Sequence, residues 1–421
     1  MKTLFLALAL AISGLGDVRA AEAPSPSPAG IRIEAARKVL QKQPNRCQAY
    51  NDLAQALIRR ARETGDNSYF GEAESAIQHA LRIQPANFEA AAAHITLLLA
   101  QHCYGAALEE AKTLKRRVPD VVMVWGDIAE AEASLGDYPQ AEEAAQWMMD
   151  LRPGNLPAYL MGAELREDWG DTDGALDFFD KALQQTPPLE TEERAWILTR
   201  MARVHRRAGR AGAADSLLTE ALNAFPNYYA ALEERAEVRL AQNRNDEAVE
   251  LMEQRNRTFP SPASRLLAAR ALDRAGRPED AAKMYAEFER GALAQVESPN
   301  NANVELIAYY VDCAHRPAEA LRIARKQLES RHDVASLDAY AWALDANGQF
   351  AEAGRQILKA LSLGSCDAVL MYHAGEIYAA LGKMAEAVAY WQKSIDINAS
   401  SAAAESARRE ISRSSRLAAS R

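Results

Sequence analysis

Prolines punctuate this chain at a near-constant interval: Pro44, Pro85, Pro119, Pro153, Pro187, Pro226 and Pro260, separated by 41, 34, 34, 34, 39 and 34 residues. The two longer gaps are the same period with an insert, RETGDNS at 62–68 and PLETE at 188–192. Each proline closes an alanine-rich amphipathic run, as in GDYPQAEEAAQWMMDLRP (136–153) and GDTDGALDFFDKALQQTP (170–187). Proline has no amide hydrogen and clashes with the preceding turn, so it ends helices. A fixed period of this length marks a stack of one repeated supersecondary unit rather than a set of unrelated domains. Beyond Pro260 the proline is lost, but Gly276, Gly348 and Gly382 keep the internal turn, and Ala281, Ala320, Ala353 and Ala387 keep a small residue five places after it.

Each unit divides into two helical patterns about that turn. The first carries a small residue at one place: Ala54, Ala129, Ala163, Ala202, Ala236, Ala269, Ala308, Ala341 and Gly375; the second carries Ala73, Ala107, Ala141, Ala175, Ala214 and Ala248. Small residues there let paired helices approach closely. Larger apolar residues fall at i, i+3, i+4 and i+7, as in Tyr50, Leu53, Ala54 and Leu57, which gives each helix one buried face. Gly136, Gly170, Gly209 and Gly382 stop first helices where left-handed backbone is required.

These residues resemble the tetratricopeptide repeat (TPR) family. The third unit carries Trp125, Ile128, Ala129, Gly136, Tyr138, Ala141 and Pro153, and the fourth carries Tyr159, Ala163, Gly170, Ala175, Phe179, Ala182 and Pro187. Near the C-terminus Ala341, Gly348, Phe350, Ala353 and Ala360 are followed by Gly375, Tyr378, Gly382, Ala387 and Trp391. The resemblance spans roughly residues 31–398 and implies an all-α fold, an α-α superhelix of about ten helical hairpins after a leading helix. Two units depart from it. The second has Ile95 where a small residue is expected, and the seventh is one residue short, so its register has two settings one residue apart.

The first twenty residues read as a secretory signal: Lys2, an apolar run from Leu4 to Ile12 too short to span a bilayer, and small residues at Val18 and Ala20. Cleavage is expected near Ala20, leaving a Pro/Ser linker (21–30), the solenoid (31–398), and a C-terminal capping helix with a basic tail that frays (399–421). The expected mature chain has no transmembrane segment and is periplasmic or secreted.

Chemistry is sparse. The formal net charge of -9 and sequence pI of about 5.5 argue against nucleic acid as the ligand. No Gly-rich phosphate loop, HExxH helix or GxSxG elbow occurs, so neither an enzyme nor a cofactor or metal site is expected. His102-Cys103 and Cys313-Ala-His315 sit at turns six units apart and read as exposed turn residues; a shared metal site would need the solenoid to close on itself. Cys47 and Cys103 lie at opposite edges of the stack, as do Cys313 and Cys366, so free thiols are expected.

The family resemblance implies that the first helices line a concave groove. Register then places Glu130, Glu164 and Glu167 on it, followed by Arg203, Arg206 and Arg207, and in the C-terminal units Tyr309, Trp342 and Tyr372 beside Asp338 and Glu376. The three arginines, at i, i+3 and i+4, form either a fork for a carboxylate or phosphate or a face paired with neighbouring acidic units. The three aromatics form either one strip of partner anchors or, with a register shift of one, part of the core. The expected function is a non-enzymatic scaffold outside the cytoplasm that binds a protein or extended peptide along the groove. Its alternatives are a structural component of an envelope export or exopolysaccharide secretion assembly, and a carbohydrate-binding protein.

Overall fold

A computed structural model of the chain describes residues 27–257, 259–299 and 301–419, in which there are 22 α-helices and no strand. The expected signal segment, its expected cleavage site and residues 21–26 of the expected linker lie outside the described residues. The rest of that linker is not linker: Pro28 to Gly30 form the first turn of α1 (Pro28–Lys42), capped by Ser27, whose hydroxyl accepts from the Gly30 amide at 3.1 Å.

Ten antiparallel hairpins follow. They are α2 (Cys47–Thr64) with α3 (Tyr69–Ile83), α4 (Phe88–Ala100) with α5 (Tyr104–Arg117), α6 (Val122–Leu135) with α7 (Tyr138–Leu151), α8 (Leu156–Asp168) with α9 (Thr172–Gln185), and α10 (Thr191–Arg207) with α11 (Ala211–Ala224). Then come α12 (Tyr229–Ala241) with α13 (Asn245–Asn256), α14 (Pro262–Arg274) with α15 (Pro278–Leu293), α16 (Asn303–Asp312) with α17 (Pro317–Gln327), α18 (Val334–Ala346) with α19 (Phe350–Leu361), and α20 (Ala368–Ala380) with α21 (Met384–Ile397). Helix α22 (Ala402–Ala419) packs on the last hairpin. No described helix is long and apolar enough to cross a membrane.

The repeated phrases of the sequence are helix punctuation. Helix α6 ends at Gly136 in left-handed backbone (φ 92°), and α7 starts with Pro139 in its first turn. It buries Tyr138, Ala141, Ala144, Ala145 and Met148 along one face. Asn155 then caps α8, accepting from the Ala158 amide at 2.9 Å. Helix α9 starts the same way, with the Asp171 carboxylate accepting from the Gly174 amide at 3.0 Å.

Bulk is exchanged between the two helices of a hairpin. In several hairpins a small residue on the first helix is matched by a large one on the second: Ala163 is matched by Phe179, and Gly375 faces the buried Trp391, whose Cδ1 lies 2.3 Å from where a Cβ on residue 375 would sit, whereas in the third unit Ala129 and Ala145 are both small. In the second unit the exchange is reversed. Ile95 is fully buried, and Ala111 takes the large slot in the same core cluster. Close packing requires the summed volume rather than a given residue at each slot, which is how the hairpin accommodates Ile95.

The seventh unit, α14, keeps its expected register, with Ala269 fully buried in the slot; the shift by one residue falls in the eighth, in α16. There the buried residues are Asn303, Leu306, Ile307 and Tyr310, whereas Ala308 is only half-buried, so Ile307 holds the slot expected for Ala308, opposite a small Ala324. The short helix is set by Asn303, whose side-chain amide donates to the Val296 carbonyl at 3.3 Å and to Gln327 Oε1 at 3.2 Å.

The superhelix winds tightly enough for successive turns to touch. The turn at Gly136 meets His332, that at Gly170 meets Cys366, and that at Gly209 meets Asn398. The Tyr138 hydroxyl accepts from the Val334 amide at 3.5 Å, and the Asn398 side chain donates to the Arg206 carbonyl at 3.0 Å. A Cβ at Gly170 would lie 2.4 Å from the Cys366 Cβ and 2.5 Å from its nitrogen, and one at Gly136 would lie 2.5 Å from the His332 carbonyl oxygen. These glycines serve both a positive φ and a backbone approach from the next turn. Gly276 (φ 75°) has no such neighbour within 4 Å.

His102 is drawn into this seam and is not an exposed turn residue. It stacks on Tyr104 with ring centroids 5.6 Å apart, the Arg331 guanidinium lies over Tyr104 at 5.5 Å, and burial with Arg331 lowers the His102 pKa to about 4. The solenoid therefore does close on itself, but it brings Arg331 to His102; Cys313 and His315 stay exposed. Among the described residues no group of three or more His, Cys, Asp or Glu is placed to hold a metal, and the four cysteines are free thiols.

Substitution separates the two jobs of glycine. Gly276→Ala should cost about 1 kcal/mol, the left-handed backbone penalty alone. Gly170→Ala should cost at least about 3 kcal/mol, because overpacking adds to that penalty, and should also part the turns. Thermal unfolding of the two variants, with solution scattering for the radius of gyration, checks both: only Gly170→Ala should expand the particle.

Candidate partner-binding lumen

Contact between turns changes the inner surface from an open groove into a lumen. The first helices of six consecutive hairpins, α2, α4, α6, α8, α10 and α12, all line one cavity of about 930 Å³. The ring is closed where the first and later hairpins meet. Arg62 makes a two-pronged contact with Glu192 (2.9 and 2.8 Å), Arg59 pairs with Glu190 at 2.6 Å, and the Tyr229 ring lies 3.5 Å from a Cβ position on Gly65. A second cavity of about 400 Å³ adjoins it, sharing Arg62, Trp196, Tyr229 and Glu233 as wall residues.

The sequence-derived residues distribute over this surface unequally. Glu130 and Glu164 line the larger cavity, and Arg203 and Arg206 the smaller. Glu167 and Arg207 lie lower, in a small seam pocket with Cys366 and Asp367. The three arginines do not form a vacant fork. Glu167 is 7% exposed and pairs with Arg203 at 2.9 Å and Arg207 at 3.4 Å, while Arg207 also reaches Asp367 at 3.3 Å and Arg206 is bound to Glu234. Arg200, which the sequence reading did not single out, bridges Glu164 (2.9 Å) and Glu167 (2.8 Å). Glu167 is thus the counter-ion of the arginine cluster. Burial works against its charge, but Arg200, Arg203 and Arg207 outweigh that and hold its pKa at about 2.

The expected aromatic strip is broken. Trp342 and Tyr372 face each other with centroids 6.2 Å apart, but Tyr309 packs with Tyr285 (5.3 Å) and Phe288 (5.4 Å) instead. The register of α16 is the reason: with Ile307 in the small-residue slot, Tyr309 is turned by one residue and packs against the core. Tyr309, Trp342 and Tyr372 do not line the cavities of the earlier hairpins. The residue that completes the site is His373. It stacks on Trp342 at 4.2 Å and 12°, and its Nδ1 contacts Asp338 at 2.9 and 3.1 Å. The Trp342 indole nitrogen donates to Asp312 at 2.8 Å. One face of Trp342 is therefore already covered, and Asp338 is engaged. Burial works against the His373 charge, but Asp338 more than compensates and raises its pKa. Glu376 is pushed up to about 7 by burial and by Glu410. The signal for His373 was present as a neighbour of Tyr372, but only the packing of α18 on α20 shows that it reaches Trp342.

Both titrations have readable consequences. Glu167 has a depressed folded-state pKa, so its stabilisation is present above the unfolded value of about 4.3 and is lost as pH falls towards about 2. Glu167→Gln should lose about 3 kcal/mol at neutral pH, the cost of leaving a buried pair half broken, and its difference from the parent should shrink below pH 4 in urea unfolding. His373 has a raised pKa, so its stabilisation is present below about 6.5 and is lost as pH rises through the folded value. The Trp342 part of the emission, isolated by difference from Trp342→Phe, should titrate with a midpoint above that of free histidine. Asp338→Asn should move the midpoint down.

Two models described as tetratricopeptide repeat match the chain, over residues 199–260 and 368–401. Each match begins in a first helix, α10 or α20, and runs through its partner. Among solved structures, the human IFIT1 dimer with PPP-AAAA is 16% identical, with 86% of each chain covered and a TM-score of 0.49. A tetratricopeptide repeat protein from Parabacteroides merdae is 15% identical over 57% of this chain and 91% of that one (TM-score 0.43), and the type IV pilus biogenesis factor PilW is 18% identical over 53% and 99% (TM-score 0.41). No curated protein matches the sequence. With ten helical hairpins in one stack, and repeat-family matches falling on hairpins near its middle and its end, this chain carries tetratricopeptide repeats in the matched hairpins.

Proposed function

We propose that the chain is a non-enzymatic scaffold, working outside the cytoplasm, that captures a protein or extended peptide within its lumen. The observation that carries this reading is that six first helices turn their inner faces into one continuous cavity of about 930 Å³. Its wall combines apolar surface, including Met123, Leu160 and Trp196, with carboxylates and guanidiniums. That mixture suits a polypeptide, which presents both signs and apolar side chains, better than a polyanion. Repeat proteins use this kind of concave surface for protein interaction. The location rests on the signal-like N-terminal sequence.

Photo-crosslinking tests the lumen directly. A photoreactive residue replacing Leu160, on the cavity wall, should crosslink a polypeptide partner from envelope extract; the same group replacing Trp147, exposed on α7, should not. Crosslinks from position 147 alone would reject luminal capture and favour an envelope assembly held through the outer face. Fractionation with N-terminal sequencing tests the location, with export and a mature start near residue 21 as the expected result.

A further inference from the structure

Most charges on the wall of the first-turn lumen are spent on one another. Arg59 and Arg62 hold Glu190 and Glu192, Arg255 holds Glu233, and Arg200 holds Glu164. Two carboxylates on α6 are different. Asp127 lines the cavity, is only 8% exposed, and leaves its Oδ2 without a hydrogen-bond partner. Glu130, one turn on, lines the same cavity with its side chain open to it, and neither residue forms a salt bridge among the described residues. The spacing i, i+3 puts both on one helix face, with Cβ atoms about 5–6 Å apart. A buried carboxyl group without a partner costs folding free energy. Gly126, beside Asp127, meets only Met148.

The surroundings narrow what would complete the pair. Met123, Leu160, Met161 and Trp196 supply apolar wall in the same cavity as the carboxylates. The volume is that of a cavity that holds a small ligand or a short stretch of peptide. An extended methylene chain ending in a compact, multiply donating cation matches an apolar wall with two acceptors at one point. We propose that this part of the lumen is a primary-ammonium site that takes the lysine side chain of an entering peptide, with the ammonium held between Asp127 and Glu130. The proposal rests on the luminal-capture reading and adds the chemistry of the captured group.

The local potential is consistent with it. Burial pushes Asp127 up to about 7. Burial, then Glu164 and Asp127, push Glu130 up to about 8, with Arg200 and Arg62 opposing. Both groups therefore hold protons for part of the time near neutrality, and an ammonium that ionises them expels those protons.

The full chain is titrated with three probes: a blocked alanine pentapeptide with one central lysine, the same peptide with that lysine acetylated, and spermidine. Calorimetry in buffers of different ionisation heat reads affinity and protons released; the emission of Trp196 reads occupancy. The lysine peptide should bind with net proton release at pH 7.5. Acetylation should weaken it at least tenfold and abolish the proton release; Asp127→Asn or Glu130→Gln should each weaken it at least tenfold and reduce the proton release. Glu130→Gln lies on the open face, so it remains informative should Asp127→Asn fold poorly. Equal binding of the acetylated peptide, or binding indifferent to both substitutions, overturns the ammonium site but leaves luminal capture standing. Failure of both peptides to bind overturns the two together. Spermidine binding with the same dependence, without the lysine peptide, overturns the peptide source.

Discussion

Backbone touches backbone where one turn of the superhelix rests on the next, and the inner surface depends on that contact. A stack of helical hairpins with a small rotation per unit is ordinarily a ribbon with a concave side. Here the turns at Gly136 and Gly170 admit the chain around His332 and Cys366 at distances that any β-carbon would forbid. Arg59 and Arg62 then latch the first hairpin to Glu190 and Glu192 at the start of the fifth, Tyr229 of the sixth meets Gly65, and the concave side becomes the wall of a cavity.

Closure also changes what the charges do. On an open groove, Arg203, Arg206 and Arg207 would face water and be free to meet an anion. Inside the lumen the same guanidiniums meet acids carried by neighbouring helices and by the next turn, and Glu167, Glu234 and Asp367 neutralise them. Desolvation penalises any charge left over, so internal pairing is the stable outcome. Asp127 and Glu130 stand out against this background because the same desolvation acts on them with no guanidinium bound to either.

The interior follows a volume rule that repeats with variations. Gly375 opposite Trp391 and Ile95 in the cluster of Ala111 are opposite solutions to one packing problem. The variation has consequences at a distance. Because Ile307 fills the slot in α16, that helix is turned by one residue, and Tyr309 joins Tyr285 and Phe288. Trp342 and Tyr372 are left to form a smaller site with His373.

Period, helix ends and small-residue slots are local matters, each decided within about 34 residues, and they were legible because proline, glycine and alanine act on the backbone nearest to them. Those features determined the all-α stack, and together with the family resemblance they put Glu130, Glu164, Arg203 and Arg206 on its inner side, where these four line the two cavities. They were silent on everything that joins residues about six units apart. Whether the stack stays open or closes depends on small rotations summed over several hairpins, and no single unit records that sum. Only the tertiary structure decided that Gly170 lies against Cys366, that His102 is covered, and that the arginine fork is already filled. The unit of α16 falls between these cases: a shift of one residue was an open alternative for its aromatic residues, but the choice is made by the volumes packed around Ile307, whereas the shortened seventh unit keeps Ala269 fully buried in its slot.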